Sequence, residues 1–131
     1  MELSGSVCLV TGASSGIGAQ TARLLVARGA RVAATARRED LLDALGAAST
    51  HVADLSDPAD ALRMADAVLG LYGRVDVLVN NAGVRIDGPV AEVGLEELDG
   101  SFQVNALSPF ALAGRLAPGM VERETGVIAS V

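Results

Sequence analysis

The sequence contains no lysine; all ten of its basic residues are arginine. It also has no tryptophan, one tyrosine, two phenylalanines and one cysteine. A lone cysteine excludes an intrachain disulfide, and Cys8 lies in the apolar run Val7-Cys8-Leu9-Val10, where it reads as a buried structural thiol. With so few aromatics the core must be built from Ala, Val, Leu and Ile, as in buried parallel strands flanked by helices. Positive charge is scarce as well: 10 basic against 16 acidic residues leave a net charge of −6. DNA or RNA as a partner is disfavoured, because counterion release needs a positive field, although a local arginine cluster can still hold one phosphate. The N-terminus carries Glu2, no basic cluster and only a short apolar run, unlike a signal peptide. No stretch reaches the length of a membrane span. A soluble, cytoplasmic protein with no membrane partner is expected.

What is present fits one domain. The 131 residues are half hydrophobic and 20% charged, which excludes disorder as the main state. Short apolar runs alternate with helical patterns. Strands are expected at Val7–Thr11, Arg31–Thr35, Thr50–Ala53, Val75–Asn80 and Val127–Val131. Ile17–Arg28 places Ala22, Leu25 and Val26 on one helical face, with Gly29 as a stop. Asp40–Leu45 suggests a short second helix ending at Gly46. A third starts with Asp57 as cap and Pro58 in the first turn, followed by Leu62, Ala65 and Leu69. Glu96–Leu116 reads as a long fourth helix, and Asp87-Gly88-Pro89 as a turn. This alternation predicts an α/β fold with a doubly wound parallel sheet and right-handed crossovers.

The most informative segment is Thr11-Gly12-Ala13-Ser14-Ser15-Gly16-Ile17-Gly18, which leaves the first strand and opens the first helix. Amides at a helix start lack intrahelical partners and sit at the positive end of the dipole, so a pyrophosphate is a natural occupant. Gly12 permits the tight turn, Gly16 lets backbone approach phosphate, and Gly18 allows close helix–strand packing. Ser14 and Ser15 add hydroxyl donors. The plainer alternative is a glycine-rich turn with a capping serine.

The spacing Thr-Gly-x-x-x-Gly-x-Gly resembles the short-chain dehydrogenase/reductase family. Three further segments match that family in order: Asp54-Leu55, Asn80-Asn81-Ala82-Gly83 and Asn105. The resemblance covers essentially the whole chain, as about the first half of a family member of usual length. It implies a Rossmann-type sheet of about five strands in the order 3-2-1-4-5, cut short before the last strands and helices. It also implies that Asp54 binds the adenine amino group with the Leu55 backbone nearby, that Asn80, Ala82 and Gly83 pass the adenosine ribose and stabilise the central sheet, and that Asn81 is among the cofactor contacts. Val104 would line the cofactor groove, and Ile17 falls within the glycine motif. A capping role for Asp54 is the plainer alternative.

Cofactor choice is expected at the end of the second strand. A carboxylate there accepts bonds from a ribose 2′-hydroxyl and repels a 2′-phosphate. The family position that holds Asp in NAD-preferring members is Ala36 here, and Arg37 and Arg38 follow. Guanidinium–phosphate bonds are charge-assisted and can be bidentate. NADP is therefore expected over NAD, with Arg37 the better placed of the two arginines. A solvated surface pair is the alternative.

For the chemistry, the resemblance implies a Tyr general acid/base, a Lys four residues later, a Ser that orients the carbonyl and an Asn that completes a proton relay. Asn105 matches the Asn. Pro109, four residues on, has no N–H for the Asn105 carbonyl, which leaves that carbonyl to water if the helix runs through. A helix break near Ser108-Pro109, with Asn105 merely capping, is the alternative. Tyr72 is the only tyrosine and is followed at four residues by Asp76, so the Tyr-x-x-x-Lys pair is not in this chain. Ser130 falls two or three residues before the family's serine. No metal is expected, and His51 and Tyr72 are assigned no chemistry. Arg85 and Ile86 are placed at the edge of a substrate pocket.

Two readings follow. One is the N-terminal part of an NADP-dependent oxidoreductase acting between a small carbonyl and a secondary alcohol. The other is a non-catalytic dinucleotide-binding or interaction module. Sugar-nucleotide epimerases are disfavoured by the three residues between the first two glycines. An exposed fifth strand and the faces carrying Phe102 and Phe110 predict a homo-oligomer or an aggregation-prone chain.

Overall fold

The computed structural model describes residues 1–131. Five strands, β1 (Val7–Val10), β2 (Arg31–Ala36), β3 (Ser49–Val52), β4 (Val77–Asn80) and β5 (Val127–Ser130), form one sheet in the order β3-β2-β1-β4-β5. Every neighbouring pair is parallel. This is the expected topology. The chain runs outward from β1 to β3 and then returns to the other side of β1. The crevice between β1 and β4 is thus the topological switch point, where open α/β sheets take their ligands.

Four helices connect the strands: α1 (Gly16–Ala27), α2 (Pro58–Tyr72), α3 (Leu95–Phe102) and α4 (Ser108–Glu122). Side chains alternate across each strand, so the sheet supports a core on each face. Val7, Leu9, Ala33 and Leu78 pack with Met64 and Val68 of α2 and with Leu112 and Leu116 of α4. Cys8, Val10, Val32, Ala34 and Val79 pack with Ala19, Ala22 and Leu25 of α1. Cys8 is buried, as its apolar setting predicted.

The boundaries of α2 follow from its ends. The Asp57 carboxylate accepts the Ala59 amide at 3.0 Å, Pro58 occupies the first turn, and Gly73 ends the helix at φ 75° with its amide on the Leu69 carbonyl. That is side-chain capping at one end and a left-handed stop at the other.

Two expected helices differ. The segment expected as a helix over Asp40–Leu45 is a pair of 3-10 turns, Glu39–Leu41 and Asp43–Leu45, stopped by Gly46 at φ 69°. Its buried residues, Leu42 and Leu45, are three apart, which suits that tighter winding. The helix expected over Glu96–Leu116 begins at Leu95, passes through a π-turn at Gln103–Leu107 and continues to Glu122. Pro109 cannot donate to Asn105, and the Ser108 amide reaches back five residues to the Gln103 carbonyl. Pro118 does not end α4, because Leu112, Leu116 and Met120 keep its inner face buried against the core.

Candidate functional site

A cavity of about 610 Å³ opens at the C-terminal ends of β1, β2, β3 and β4. Its wall includes Gly12, Ser14 and Ser15 from the turn after β1, Ala36 and Arg37 after β2, Asp54 and Leu55 after β3, Asn81, Ala82 and Gly83 after β4, and Val104. Five sequence-distant segments thus meet at one crevice. The volume lies within the roughly 300–1,000 Å³ usual for small-molecule sites.

The turn after β1 is held from below. Thr11 Oγ1 accepts the amides of Asn81 and Ala82, both at 3.0 Å, and the Asn81 side-chain amide donates to the carbonyls of Thr11 (3.3 Å) and Gly12 (3.1 Å). The backbone following β4 therefore lies directly against the glycine turn. A Cβ on Gly12 would stand 2.8 Å from the Ala82 Cα, and one on Gly18 would collide with the Gly12 carbonyl and the Asn81 side chain. Gly12 and Gly16 also hold φ at 62° and 55°, where a side chain is strained.

Above this base, α1 begins differently from α2. Ser15 takes the cap position with extended backbone, yet its hydroxyl makes no capping bond, and no acidic residue lies in the first turn. The opening amides of α1 are thus left without a protein acceptor, at the positive end of the helix. Gly16 and Ile17 line a second, shallower groove that shares Ser14 and Ser15 with the cavity. Gly18 is buried under the turn and acts by packing.

The two arginines part company. Arg37 lies on the cavity wall, close enough to Asp54 for its charge to be felt there. Arg38 does not reach the cavity; its guanidinium donates to the Asp40 carboxylate at 2.8 and 3.3 Å in full solvent exposure. Arg38, expected among the cofactor contacts, is thus not among the wall residues. The reason is the carboxylate two residues on, which turns it outward.

Asp54 caps no helix; that is done by Asp57. Its Oδ1 accepts both the Ser56 amide (3.0 Å) and the Ser56 hydroxyl (2.7 Å), which leaves Oδ2 to an incoming donor. These two bonds, assisted by Arg37 and opposed by burial and by Asp60, hold the carboxyl below the usual aspartate range. Asp54 is ionised at neutral pH.

Asn105 is placed beside the cavity and not on its wall. Its Oδ1 accepts the Val84 amide and its Nδ2 donates to the Val84 carbonyl, both at 2.8 Å, and Nδ2 also donates to Ser101 Oγ at 3.2 Å. The side chain therefore clamps the loop after β4. The helix does continue through this point, with Pro109 withholding its amide.

Ser130 pairs with Asn80 at the exposed edge strand β5. Tyr72 is committed elsewhere: its hydroxyl donates to Ser49 Oγ at 2.8 Å, the same oxygen bonds His51 Nε2 at 2.8 Å, and Arg31 lies over its ring. Arg85 and Ile86 do line the cavity, and Arg85 pairs with Asp87. Wall residues that the sequence reading missed include Ser56, Glu97 and Ser101. Glu97, Ser101 and Val104 are spaced four and three apart, a helical stripe that begins from the Val104 already singled out. No helix is long and apolar enough to cross a membrane.

Comparison with known proteins places this geometry. Residues 6–131 match the family model described as short chain dehydrogenase. The chain is 36% identical over 138 residues to D-threitol dehydrogenase of Mycolicibacterium smegmatis, covering 99% of this chain and 53% of that protein. It is 34% identical to the 3-oxoacyl-(acyl-carrier-protein) reductase FabG of Thermotoga maritima, covering 100% and 56%. Among solved structures, a metagenomic short-chain oxidoreductase in complex with NADP superposes with a TM-score of 0.93 at 42% identity, covering 99% of this chain and 62% of that one. The chain spans about half the length of the curated relatives it matches.

Proposed function

Because the chain belongs to the short-chain dehydrogenase family, we propose that it forms the NADP-binding part of an oxidoreductase that moves a hydride between nicotinamide and a small carbonyl or secondary alcohol. The observation that carries this reading is the pairing of an uncapped α1 N-terminus with Arg37 on one cavity wall. The free amides and the hydroxyls of Ser14 and Ser15 suit a pyrophosphate. Arg37, with no carboxylate at the Ala36 position, suits a 2′-phosphate. Asp54 Oδ2 would accept the adenine amino group, and Asn81, Ala82 and Gly83 would border the adenosine ribose. Val104 would close the groove. A bound nicotinamide would supply or accept the hydride, and this chain's residues would bind and orient it.

For the proton, the Asn105 carbonyl is the group this chain would offer to a relay water, since its side chain already holds Val84. A second reading has one observation in its favour. Tyr72, the only tyrosine, is bound to Ser49 at the N-terminal end of β3, away from the cavity, and no lysine is present to lower a tyrosine pKa. Within these residues the chain would then act as a dinucleotide-binding module.

The deciding experiment assays the product of the whole reading frame that contains this chain, with NADPH and a panel of small ketones and aldehydes. Turnover, together with a Tyr-x-x-x-Lys downstream of Val131, supports the oxidoreductase. NADPH binding without turnover, and without that pair, favours the module.

A further inference from the structure

The corner that carries Asp54 and Leu55 is held by side chains that do not line the cavity. Asp60, on the first turn of α2, accepts the Asp54 amide on Oδ2 at 2.7 Å and Arg63 Nε on Oδ1 at 2.6 Å. Arg63 in turn donates through Nη2 to the Val52 carbonyl at 3.0 Å. Ser108, fully buried, donates to the Leu55 carbonyl at 2.7 Å. The backbone from Val52 to Leu55 is thus gripped at three successive points, and Asp60 provides the only side-chain bond to the Asp54 amide.

The arrangement departs from ordinary helix capping. A carboxylate at the third helical position normally reaches back to the cap residue's own amide. Here the amide of Asp57, the cap, is already on the Asp54 carbonyl, and Asp60 reaches three residues further to Asp54. The Arg63 bond comes first among the causes that hold Asp60 below the usual carboxylate range, so it is ionised and its bond to Asp54 is charge-assisted. A carboxylate that fixes the Asp54 backbone also restricts where the Asp54 side chain can point on the cavity wall.

We propose that Asp60, braced by Arg63, is a positioning residue that orients Asp54 toward the adenosine half of the dinucleotide. The inference rests on the proposed cofactor site and adds a residue outside it. Its probe is 2′,5′-ADP, which carries the adenosine and 2′-phosphate without the nicotinamide, titrated calorimetrically into the 131-residue chain. Asp60→Ala should weaken binding about fivefold, as expected for loss of one charge-assisted bond that orients a ligand contact. Asp60→Asn, which keeps an acceptor for the Asp54 amide, should fall between Ala and wild type. In an Asp54→Ala background the Asp60→Ala effect should shrink below about twofold, because the two act as one unit.

Asp57→Ala controls for helix destabilisation: it removes the α2 cap and should lower Tm without changing affinity. Arg63→Gln gives a second route to the same corner and should show a smaller loss that also vanishes with Asp54→Ala. Wild-type affinity in Asp60→Ala, or an equal loss in both backgrounds, overturns the inference while leaving the cofactor site standing. No binding of 2′,5′-ADP by the wild-type chain overturns the site and the inference together.

Discussion

Thr11 and Asn81, which stand 70 residues apart in sequence, bond to each other through both backbone and side chain: the Asn81 amide donates to Thr11 Oγ1 at 3.0 Å, and Asn81 Nδ2 donates to the Thr11 carbonyl at 3.3 Å. This joins the ends of β1 and β4 at the switch point and brings the glycine turn against the Asn81-Ala82 backbone. The cavity floor depends on that close approach.

Gly18→Ala tests it. The added methyl would meet the Gly12 carbonyl and the Asn81 side chain at once, and overpacking of this kind costs about 1–3 kcal/mol. Chemical denaturation should show that loss, and dinucleotide binding should drop with it. Gly70→Ala, in α2 with open space around the new methyl, should instead stabilise by about 0.5–1 kcal/mol. Equal effects at the two positions would contradict the packing role of Gly18.

The arginines separate in a second test. Arg37→Ala should weaken NADPH about tenfold, the loss of one charge-assisted contact, while leaving NADH within about twofold. Arg38→Ala should change neither by more than about twofold, because its exposed pair with Asp40 contributes little. Loss of NADPH affinity in Arg38→Ala, with Arg37→Ala unaffected, would reverse the assignment.

The fold was legible in the sequence because β1, β2 and β4 are short apolar runs bounded by turn residues, and α1, α2 and α4 each bury a regular stripe; β3, with Ser49, Thr50 and His51, and α3, with no buried residue, carry a weaker signal. Strand order followed from the family resemblance, and the glycine turn from its motif context. The π-turn was not legible: it arises where Pro109 removes one amide while burial of Leu112 and Leu116 keeps the helix going, a balance that periodicity alone does not show. The pairing of Arg38 with Asp40, two residues on, was not read from the sequence. Asp60 escaped notice because its carboxylate acts on backbone outside its own helix.

Asp76 carries a pH dependence. It is 4% exposed and accepts the Val7 amide at 2.9 Å and Arg74 Nε at 2.8 Å, with Arg123 nearby. Burial alone pushes its carboxyl up, but the Arg74 bonds, the Val7 amide and the two cations outweigh it and hold it below the usual aspartate range. A lowered folded pKa gives stability that is full above the unfolded value, near 3.9, and is lost as pH falls through the folded one. Asp76→Asn should therefore cost roughly 1–3 kcal/mol at pH 7. Its difference from wild type should shrink below pH 4 in parallel urea titrations. A pH-independent difference would contradict an ionised Asp76.

Self-association is the fourth expectation. β5 is paired only with β4, and Leu95, Phe110 and Val121 are each at least 75% exposed. An open edge with exposed apolar side chains favours contact with further chain. Light scattering on the 131-residue chain should report a dimer or larger species. A monodisperse monomer that binds no apolar dye would contradict it.

The most direct measurement is calorimetric titration of the folded chain with NADPH and NADH under the same salt. Saturable binding of both, with NADPH tighter by about tenfold, is the predicted result. No heat with either nucleotide would leave the crevice between β1 and β4 without its ligand and contradict the assignment.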